Sequence, residues 1–292
     1  VSVDSGTIKL DGNYPTGTNN VALGSQALDD GSLSGASNVA IGFNALTVNT
    51  SGASNTAVGT LTLDANTTGG ANVALGYGAL TANTTASNNT AVGVEALQAN
   101  TTAANNVAVG HEAGYNTTTG AQNTFLGRKA GRGVTTGTEN TFVGNSAGRD
   151  GTVTGSYNIG IGSVTLNALT SGSYNIAIGR DSLGANTTAE YNTAVGYSAG
   201  GQVTTGTDNT LIGALAGDAL TSGSLNVAVG KNALGADTQG SRSVAIGRAA
   251  LLNQNFTSAT ETYNIAIGYA TGSNVTTGRF NTLIGGLAGD AL

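Results

Sequence analysis

Few side chains in this sequence could do chemistry. The chain of 292 residues contains no cysteine, which excludes disulfides, thiol catalysis and Cys-based zinc sites. Its one histidine, His111, precedes Glu112, but a catalytic triad needs an imidazole between a nucleophile and an orienting acid. At the same repeat position the chain elsewhere has Arg128, Asn145 and Lys231, so we interpret His111 as a surface residue.

Other catalytic and cofactor patterns are also missing from the sequence. The glycines do not form a phosphate loop with its lysine. Asp does not recur at a fixed phase, as it would in a calcium-binding repeat. The acidic residues are scattered and provide no pair of carboxylates for glycoside hydrolysis. We therefore expect a protein that is not an enzyme, with no cofactor and no metal site.

Basic residues are concentrated in one segment, which holds four of the ten Lys and Arg: Arg128, Lys129, Arg132 and Arg149. Arg132 and Arg149 are separated by one repeat, so they should stack on adjacent coils. Repeated on several chains, these residues would form a positive belt able to contact an anionic glycan or phosphate. The alternative is an ordinary solvated face, since Glu139 and Asp150 are nearby.

Two further surface columns each have two interpretations. Tyr77, Tyr197 and Tyr269 follow repeat glycines and would either stack on sugars or cover the flank of the fold. A threonine column would either order ice-like water or supply turn-capping hydroxyls, and it consists of Thr68, Thr85, Thr102, Thr119 and Thr136.

All of these positions belong to one short repeat, exemplified by Asn55-Thr-Ala-Val-Gly59. Of the fifteen intervals between copies, twelve have a length of seventeen, two of eighteen and one of twenty-one. Sixteen copies end at Gly24, Gly42, Gly59, Gly76, Gly93, Gly110, Gly127, Gly144, Gly162, Gly179, Gly196, Gly213, Gly230, Gly247, Gly268 and Gly285. A fixed short period indicates a solenoid or an array.

The repeat predicts an all-β coil. In Asn38-Val-Ala-Ile-Gly42, Val39 and Ile41 alternate with Ala40 as in a strand. We expect a second short strand, for example Tyr77–Leu80, and then a polar turn. Stacked coils would place strands in parallel register about 4.8 Å apart, giving a rod on the order of 75 Å long. The Asn residues would form an amide ladder, and the final Gly would allow φ > 0 or a close backbone approach.

A single stack of such coils looks marginally stable. Each coil supplies only three or four small apolar side chains, whereas ordering one coil costs roughly 25 kcal/mol at about 1.5 kcal/mol per residue. Packing several chains around an axis would bury a second apolar face carrying Ala57, Ala74 and Ala91. We therefore expect a homo-oligomer. A net charge of −6 with sparse charges gives no nucleic-acid footprint, and no membrane span or signal peptide is visible.

The sequence predicts two segments. Residues 1–19 lie outside the repeat and are expected to form an N-terminal cap or linker; residues 20–292 are the array. A four-residue insertion around Leu251–Glu261 reads as one enlarged loop. The chain contains no Met and stops in mid-coil, so we expect more chain beyond both ends.

The motif Ser243-Val-Ala-Ile-Gly247 and its Asn-led copies resemble the head repeats of YadA-type trimeric autotransporter adhesins. They also resemble the related repeats of bacteriophage tail fibres, and the resemblance covers residues 20–292. It implies a left-handed parallel β-roll, three chains around one axis and a role in attachment to a cell surface. Adhesin-head repeats are typically shorter than the repeat found here, and the Asn-Thr-Thr-Gly turns and the lead-in at residues 9–15 look more like tail fibres.

The leading functional expectation is accordingly a homotrimeric tail fibre or receptor-binding fibre on a virion. It would contact a glycan or protein of the host cell surface, without nucleic acid and without membrane insertion. The alternatives are the head of a bacterial trimeric adhesin at the cell surface, or a passive spacer whose binding tip lies elsewhere.

Overall fold

The computed structural model describes residues 18–290, and over that range the protein is all-β with no helix. It is a parallel β-solenoid of about sixteen coils with the period of the sequence repeat, which confirms the predicted all-β class and the stacking of the repeats as parallel coils. The chain divides into two compact units, residues 1–140 and 141–292. The cap or linker predicted for residues 1–19 lies almost entirely outside the described residues.

Each coil contains one three-residue strand. The first unit holds β1 (Val21–Leu23), β2 (Val39–Ile41), β3 (Thr56–Val58), β4 (Val73–Leu75), β5 (Thr90–Val92), β6 (Val107–Val109) and β7 (Thr124–Leu126). The second unit holds β8 (Thr141–Val143), β9 (Ile159–Ile161), β10 (Ile176–Ile178), β11 (Thr193–Val195), β12 (Thr210–Ile212), β13 (Val227–Val229), β14 (Gly240–Ser241), β15 (Val244–Ile246), β16 (Thr260–Glu261), β17 (Ile265–Ile267) and β18 (Thr282–Ile284). Within each unit successive coil strands pair in parallel and in register, for example Ala57 with Ala74. The short β14 and β16 pair with each other, outside this series.

The segment after each strand is a tight turn, so the prediction of a second strand is wrong. Tyr77–Leu80 has turn geometry, with Gly78 at φ 66° and Leu80 at φ 54°. Other coils place Leu46, Leu63 and Leu97 in the same left-handed region, at φ 50–53°. A bulky residue is strained there. The buried leucine side chain compensates, because the left-handed backbone turns it into the coil interior, where all three are fully buried.

The faces of the strand are the reverse of the prediction. Ala57, Ala74 and Ala91 are fully buried inside the coil and do not form an outer apolar face. The residues on either side of each alanine point outward. A coil this short leaves little room between its walls, so the smallest side chain points inward and the β-branched ones face out, where volume is unrestricted.

Coils without the usual inward leucine keep their core volume in another way. Gly114 and Gly131 replace the leucine, and Phe125 replaces the strand alanine between them. A Cβ on Gly131 would lie 2.1 Å from the Phe125 ring, so the ring fills the space that the leucines leave. Such volume-conserving exchange is what a close-packed core tolerates best.

The glycine that ends each strand is required by close backbone approach, as predicted. Gly59 has φ 135°, and a Cβ there would lie 2.8 Å from the carbonyl oxygen of Gly76 in the next coil. Gly93 has φ 137°, and a Cβ would lie 2.4 Å from the carbonyl oxygen of Gly110. These backbone conformations are essentially restricted to glycine.

The predicted asparagine ladder is present and fully buried. The side-chain amide of Asn72 donates to Asn55 Oδ1 at 3.1 Å and to the carbonyl oxygen of Ala86, across the same coil, at 2.8 Å. Asn72 Oδ1 accepts from the backbone N–H of Asn89 at 3.0 Å. Each asparagine therefore joins its strand both to the opposite wall of its own coil and to the neighbouring coils.

A second inward amide column lies in the opposite turn and was not predicted. Asn66 donates to Asn49 Oδ1 at 3.0 Å, Asn83 to Asn66 at 2.8 Å and Asn100 to Asn83 at 2.9 Å. The insertion predicted as a loop around Leu251–Glu261 is irregular only in its first part, since it ends in the short strand β16. Its Phe256 is buried, and the backbone N–H of Phe256 donates to the buried carboxylate of Asp237.

Candidate functional site

The basic cluster of the first unit is built around Glu112. Lys129 Nζ lies 3.6 Å and His111 Nδ1 lies 3.4 Å from Glu112 Oε1, while Arg132 Nε donates to Oε2. The Arg132 guanidinium also lies 5.2 Å from the ring centre of Tyr115, a cation–π contact with the coil before. Arg128 is exposed.

The cationic neighbours control the ionisation of Glu112. Burial by itself raises its pKa, but the hydrogen bond from Arg132 and the charges of Lys129, Arg132 and His111 outweigh that effect and bring the pKa below its usual 4.5. The carboxylate is therefore ionised near neutral pH and neutralises part of the cluster. This pairing supports the solvated-face interpretation for Lys129 and Arg132.

The fourth predicted cation, Arg149, belongs to the second unit. Its guanidinium makes two hydrogen bonds to the carboxylate of Asp150, which also accepts from Asn167 Nδ2 at 2.6 Å. Hydrogen bonding to Asp150 raises the pKa of Arg149, which holds the pair ionised. Contact with an anionic glycan at Arg128, Lys129, Arg132 and Arg149 stays a prediction.

The largest feature missed from the sequence is an outward aliphatic stripe, defined as the first and third residues of the coil strands. In the second unit its third-position members are Val143, Ile161, Ile178, Val195, Ile212, Val229, Ile246, Ile267 and Ile284. They are at best partly buried: Ile178 is 37% and Ile212 is 40% exposed. The first-position residues beside them are Val, Ile or Thr. An uncharged apolar strip of this kind typically marks an interaction surface.

Exposed tyrosines lie on both sides of the strands. Tyr77, Tyr197 and Tyr269, singled out in the sequence, are 49–54% exposed. The Arg180 guanidinium lies 5.8 Å from the ring centre of Tyr197, and Arg248 lies 5.6 Å from that of Tyr269. These arginines cover one side of the rings, which favours the flank-covering interpretation there.

A tyrosine stack was not predicted, although its spacing of one repeat is visible in the sequence. The ring centres of Tyr157 and Tyr174 are 4.9 Å apart and those of Tyr174 and Tyr191 are 5.1 Å apart, with the planes within 7° of parallel. The faces of the Tyr174 ring are thus covered by its neighbours. It presents an edge and a hydroxyl to its surroundings, so a sugar ring has no free face of Tyr174 on which to stack.

Threonine hydroxyls cap the turns, but they belong to the column immediately before the predicted one. The hydroxyls of Thr67, Thr84 and Thr101 each donate to the carbonyl oxygen of the equivalent threonine one coil later, at 3.1–3.2 Å. Their predicted neighbours, such as Thr68 and Thr85, are exposed on the turn.

Within residues 18–290 no three His, Asp or Glu side chains come together as a metal site would require. In the same range the chain has no helix of the length and apolarity needed to cross a bilayer.

Comparison with known proteins adds no family to these observations. No protein-family model, no curated protein and no solved structure matches the chain.

Proposed function

We propose that the chain is a structural and adhesive segment of a homotrimeric fibre that attaches to a cell surface, and that it is not an enzyme. The leading assignment is a bacteriophage tail fibre or receptor-binding fibre on a virion. The number three, a left-handed coil and the attachment role rest on the resemblance of the repeat. The parallel solenoid is compatible with a fibre.

The observation that carries the proposal is the outward aliphatic stripe. Full burial of Val, Leu or Ile contributes about 1.5–3 kcal/mol at ~25 cal/mol/Å², or roughly 60–120 Å² of apolar surface each. In the second unit fourteen of the eighteen stripe residues are Val or Ile; seven of these are at least 36% exposed and the other seven are partly buried. The stripe therefore exposes roughly 200–650 Å² of apolar surface, a substantial part of the about 800 Å² that a standard protein interface buries on each partner.

The repeat geometry favours other copies of the same chain as the occupant. The stripe has a step of about 4.8 Å between rows, set by strand pairing. A partner whose side chains pack between these rows must repeat with the same step over many rows, and a second copy of this solenoid does. In a cyclic homo-oligomer every copy also buries the same surface. The flanking tyrosines are typical of interface cores.

The mass of the protein in solution tests the assembly. Multi-angle light scattering should give about three times the chain mass of 28.4 kDa. The double variant Ile178→Glu/Ile212→Glu places charges in the stripe and should lower the mass. Thr188→Glu/Thr205→Glu adds the same charges on exposed turns and should leave the mass unchanged. A monomeric wild-type chain with native circular dichroism would refute the proposal.

Two further experiments separate the alternatives. Labelled protein that binds whole cells would support an adhesive segment, whereas an assembled fibre that binds none supports a passive spacer. Antibodies against the chain, used in electron microscopy, would mark virions if the leading assignment is right. They would mark bacterial envelopes if the chain is instead the head of a trimeric autotransporter adhesin.

A further inference from the structure

The second unit has a surface notch where one side chain is missing from a column. The column is the fifth residue after each strand-ending glycine, and three successive members are Asp218, Gly235 and Leu252. A Cβ on Gly235 would lie 3.3 Å from Leu252 Cδ1 and 3.6 Å from Asp218 Oδ1, so both side chains flank the glycine. Together with Leu215 and Asn232 they line a cavity of about 240 Å³.

The polar groups of the notch are one carboxylate, Asp218, and the side-chain amides of Asn232 and Asn253. Asp218 is partly buried, and this burial raises the pKa of its carboxyl above the usual 3.8. Asn232 Oδ1 is buried, so the amide of Asn232 can offer its Nδ2, a donor, to the notch. A carboxylate acceptor beside an amide donor suits a ligand whose hydroxyls both donate and accept hydrogen bonds.

The remaining walls and the volume restrict the ligand further. Leu215 and Leu252 provide aliphatic surface beside these polar groups. The lining contains an acid and no basic residue, which disfavours anionic ligands. The volume is below the roughly 300–1,000 Å³ of sites for drug-sized molecules, so one small ring fits. A neutral pyranose combines donor hydroxyls at its edge with C–H groups on its faces.

We propose that the Gly235 notch binds one neutral pyranose ring of a surface glycan. Asp218 accepts a hydrogen bond from one of its hydroxyls, and the side-chain amide of Asn232 donates to an oxygen of the ring or of another hydroxyl. Leu215 and Leu252 pack against its C–H faces. The role of this site in attachment rests on the proposed function, which it makes more specific. The site is separate from the basic residues predicted to contact anionic glycans. A trimer would carry one notch per chain, so weak single contacts would gain from multivalency.

The test is a titration of the intact chain with the methyl glycosides of glucose, galactose, mannose, fucose and N-acetylglucosamine, in which binding is detected by saturation-transfer NMR. Gly235→Val fills the notch. The backbone there lies outside the left-handed region, so valine introduces no φ strain. Gly31→Val is the matched control, because a Cβ at Gly31 meets nothing within 4 Å.

We expect at least one glycoside to bind the wild-type chain and the Gly31→Val control. Its affinity should fall at least tenfold in Gly235→Val. A second variant, Asp218→Asn, keeps the shape of the notch and should weaken binding several-fold. The inference is overturned if no glycoside binds or if Gly235→Val binds glycoside as well as wild type does. It is also overturned if methylammonium, a cation able to pair with Asp218, binds the notch and the glycosides do not.

Failure of the notch and failure of the proposed function give different results. If wild type and Gly235→Val bind cells equally and no glycoside binds, the notch inference is wrong while attachment stands. If glycosides bind in a Gly235-dependent way but no cell is bound, the notch stands and the attachment role is wrong.

Discussion

Replacing Asn72 by alanine tests whether the buried amide ladder stabilises the solenoid. The substitution removes the donor to Asn55 Oδ1, the donor to the carbonyl of Ala86 and the acceptor for the backbone N–H of Asn89. The Ala86 carbonyl keeps a second donor, the amide of Asn83, at 3.1 Å. Asn55 Oδ1 keeps the backbone N–H of Asn72, at 3.0 Å. The N–H of Asn89 therefore loses its partner, whereas the other two groups do not.

These losses set the expected magnitude. A buried N–H left without a partner costs about 1–3 kcal/mol, and each of the two other lost hydrogen bonds contributes about 0.5–1.5 kcal/mol. Asn72→Ala should therefore lower the free energy of unfolding by about 2–6 kcal/mol. Asn72→Asp keeps the acceptor for Asn89 but buries a carboxylate facing two oxygens. At neutral pH it should therefore be at least as destabilising as the alanine variant.

Guanidinium unfolding followed by circular dichroism measures the difference. Protein concentration must be held fixed, because assembly would add a concentration-dependent term to the stability. The matched control is Thr85→Ala, an exposed position in the turn of the same coil, which should change stability by less than about 0.5 kcal/mol. If Asn72→Ala and Thr85→Ala unfold within about 0.5 kcal/mol of each other at unchanged denaturant slope, the ladder contributes little and this reasoning is wrong.

Three other substitutions test separate features. Gly76→Ala should destabilise the fold by about 3 kcal/mol or more, since Gly76 has φ 123° and an added Cβ would lie 2.7 Å from the Gly93 carbonyl. The control Gly31→Ala should be nearly neutral, because an added Cβ there meets nothing within 4 Å. Equal melting temperatures of the two variants would contradict this. Asn186 is buried, and neither polar atom of its side-chain amide is hydrogen-bonded within residues 18–290. One coil earlier the same column holds the buried Leu169. Asn186→Leu should therefore raise the free energy of unfolding by about 1–3 kcal/mol in the same assay. The pKa of Glu112 is lowered in the folded state, so its ion pairs stabilise the fold above about pH 4.5 and are lost as pH falls through the folded pKa. The difference in melting temperature between wild type and Glu112→Gln should therefore shrink towards zero on acidification. A difference that grows would refute the assignment.

The repeat period, visible in the sequence, determined most of the architecture. Sixteen in-phase copies of one five-residue motif, ten of which read Asn-x-Ala-x-Gly, are enough to predict parallel strands in register, because each coil pairs with a neighbour built on the same pattern. The close approach at Gly59 and the ladder through Asn72 also follow from stacking equivalent residues. Neither prediction needs knowledge of distant contacts.

The direction in which each strand face points was decided only by the tertiary structure. Alternation places Val39 and Ile41 opposite Ala40, but a period of two does not say which side is inside. The width of the coil decides it, and that width depends on left-handed turns at residues such as Leu46 and Leu80. Leucine is an uncommon choice for that backbone region, so propensity alone predicts a second strand there instead.

The candidate sites divide in the same way. Basic residues and tyrosines can be counted in the sequence, and their spacing by whole repeats shows which ones stack. The sequence does not show that Lys129 and Arg132 share one carboxylate, since Glu112 reaches them from the preceding coil. It also does not show that Gly235 leaves a notch, because the volume depends on side chains from three coils. Periodicity therefore determines which residues are neighbours along the stack, whereas inside and outside, pairing and empty space are set by side-chain packing in three dimensions.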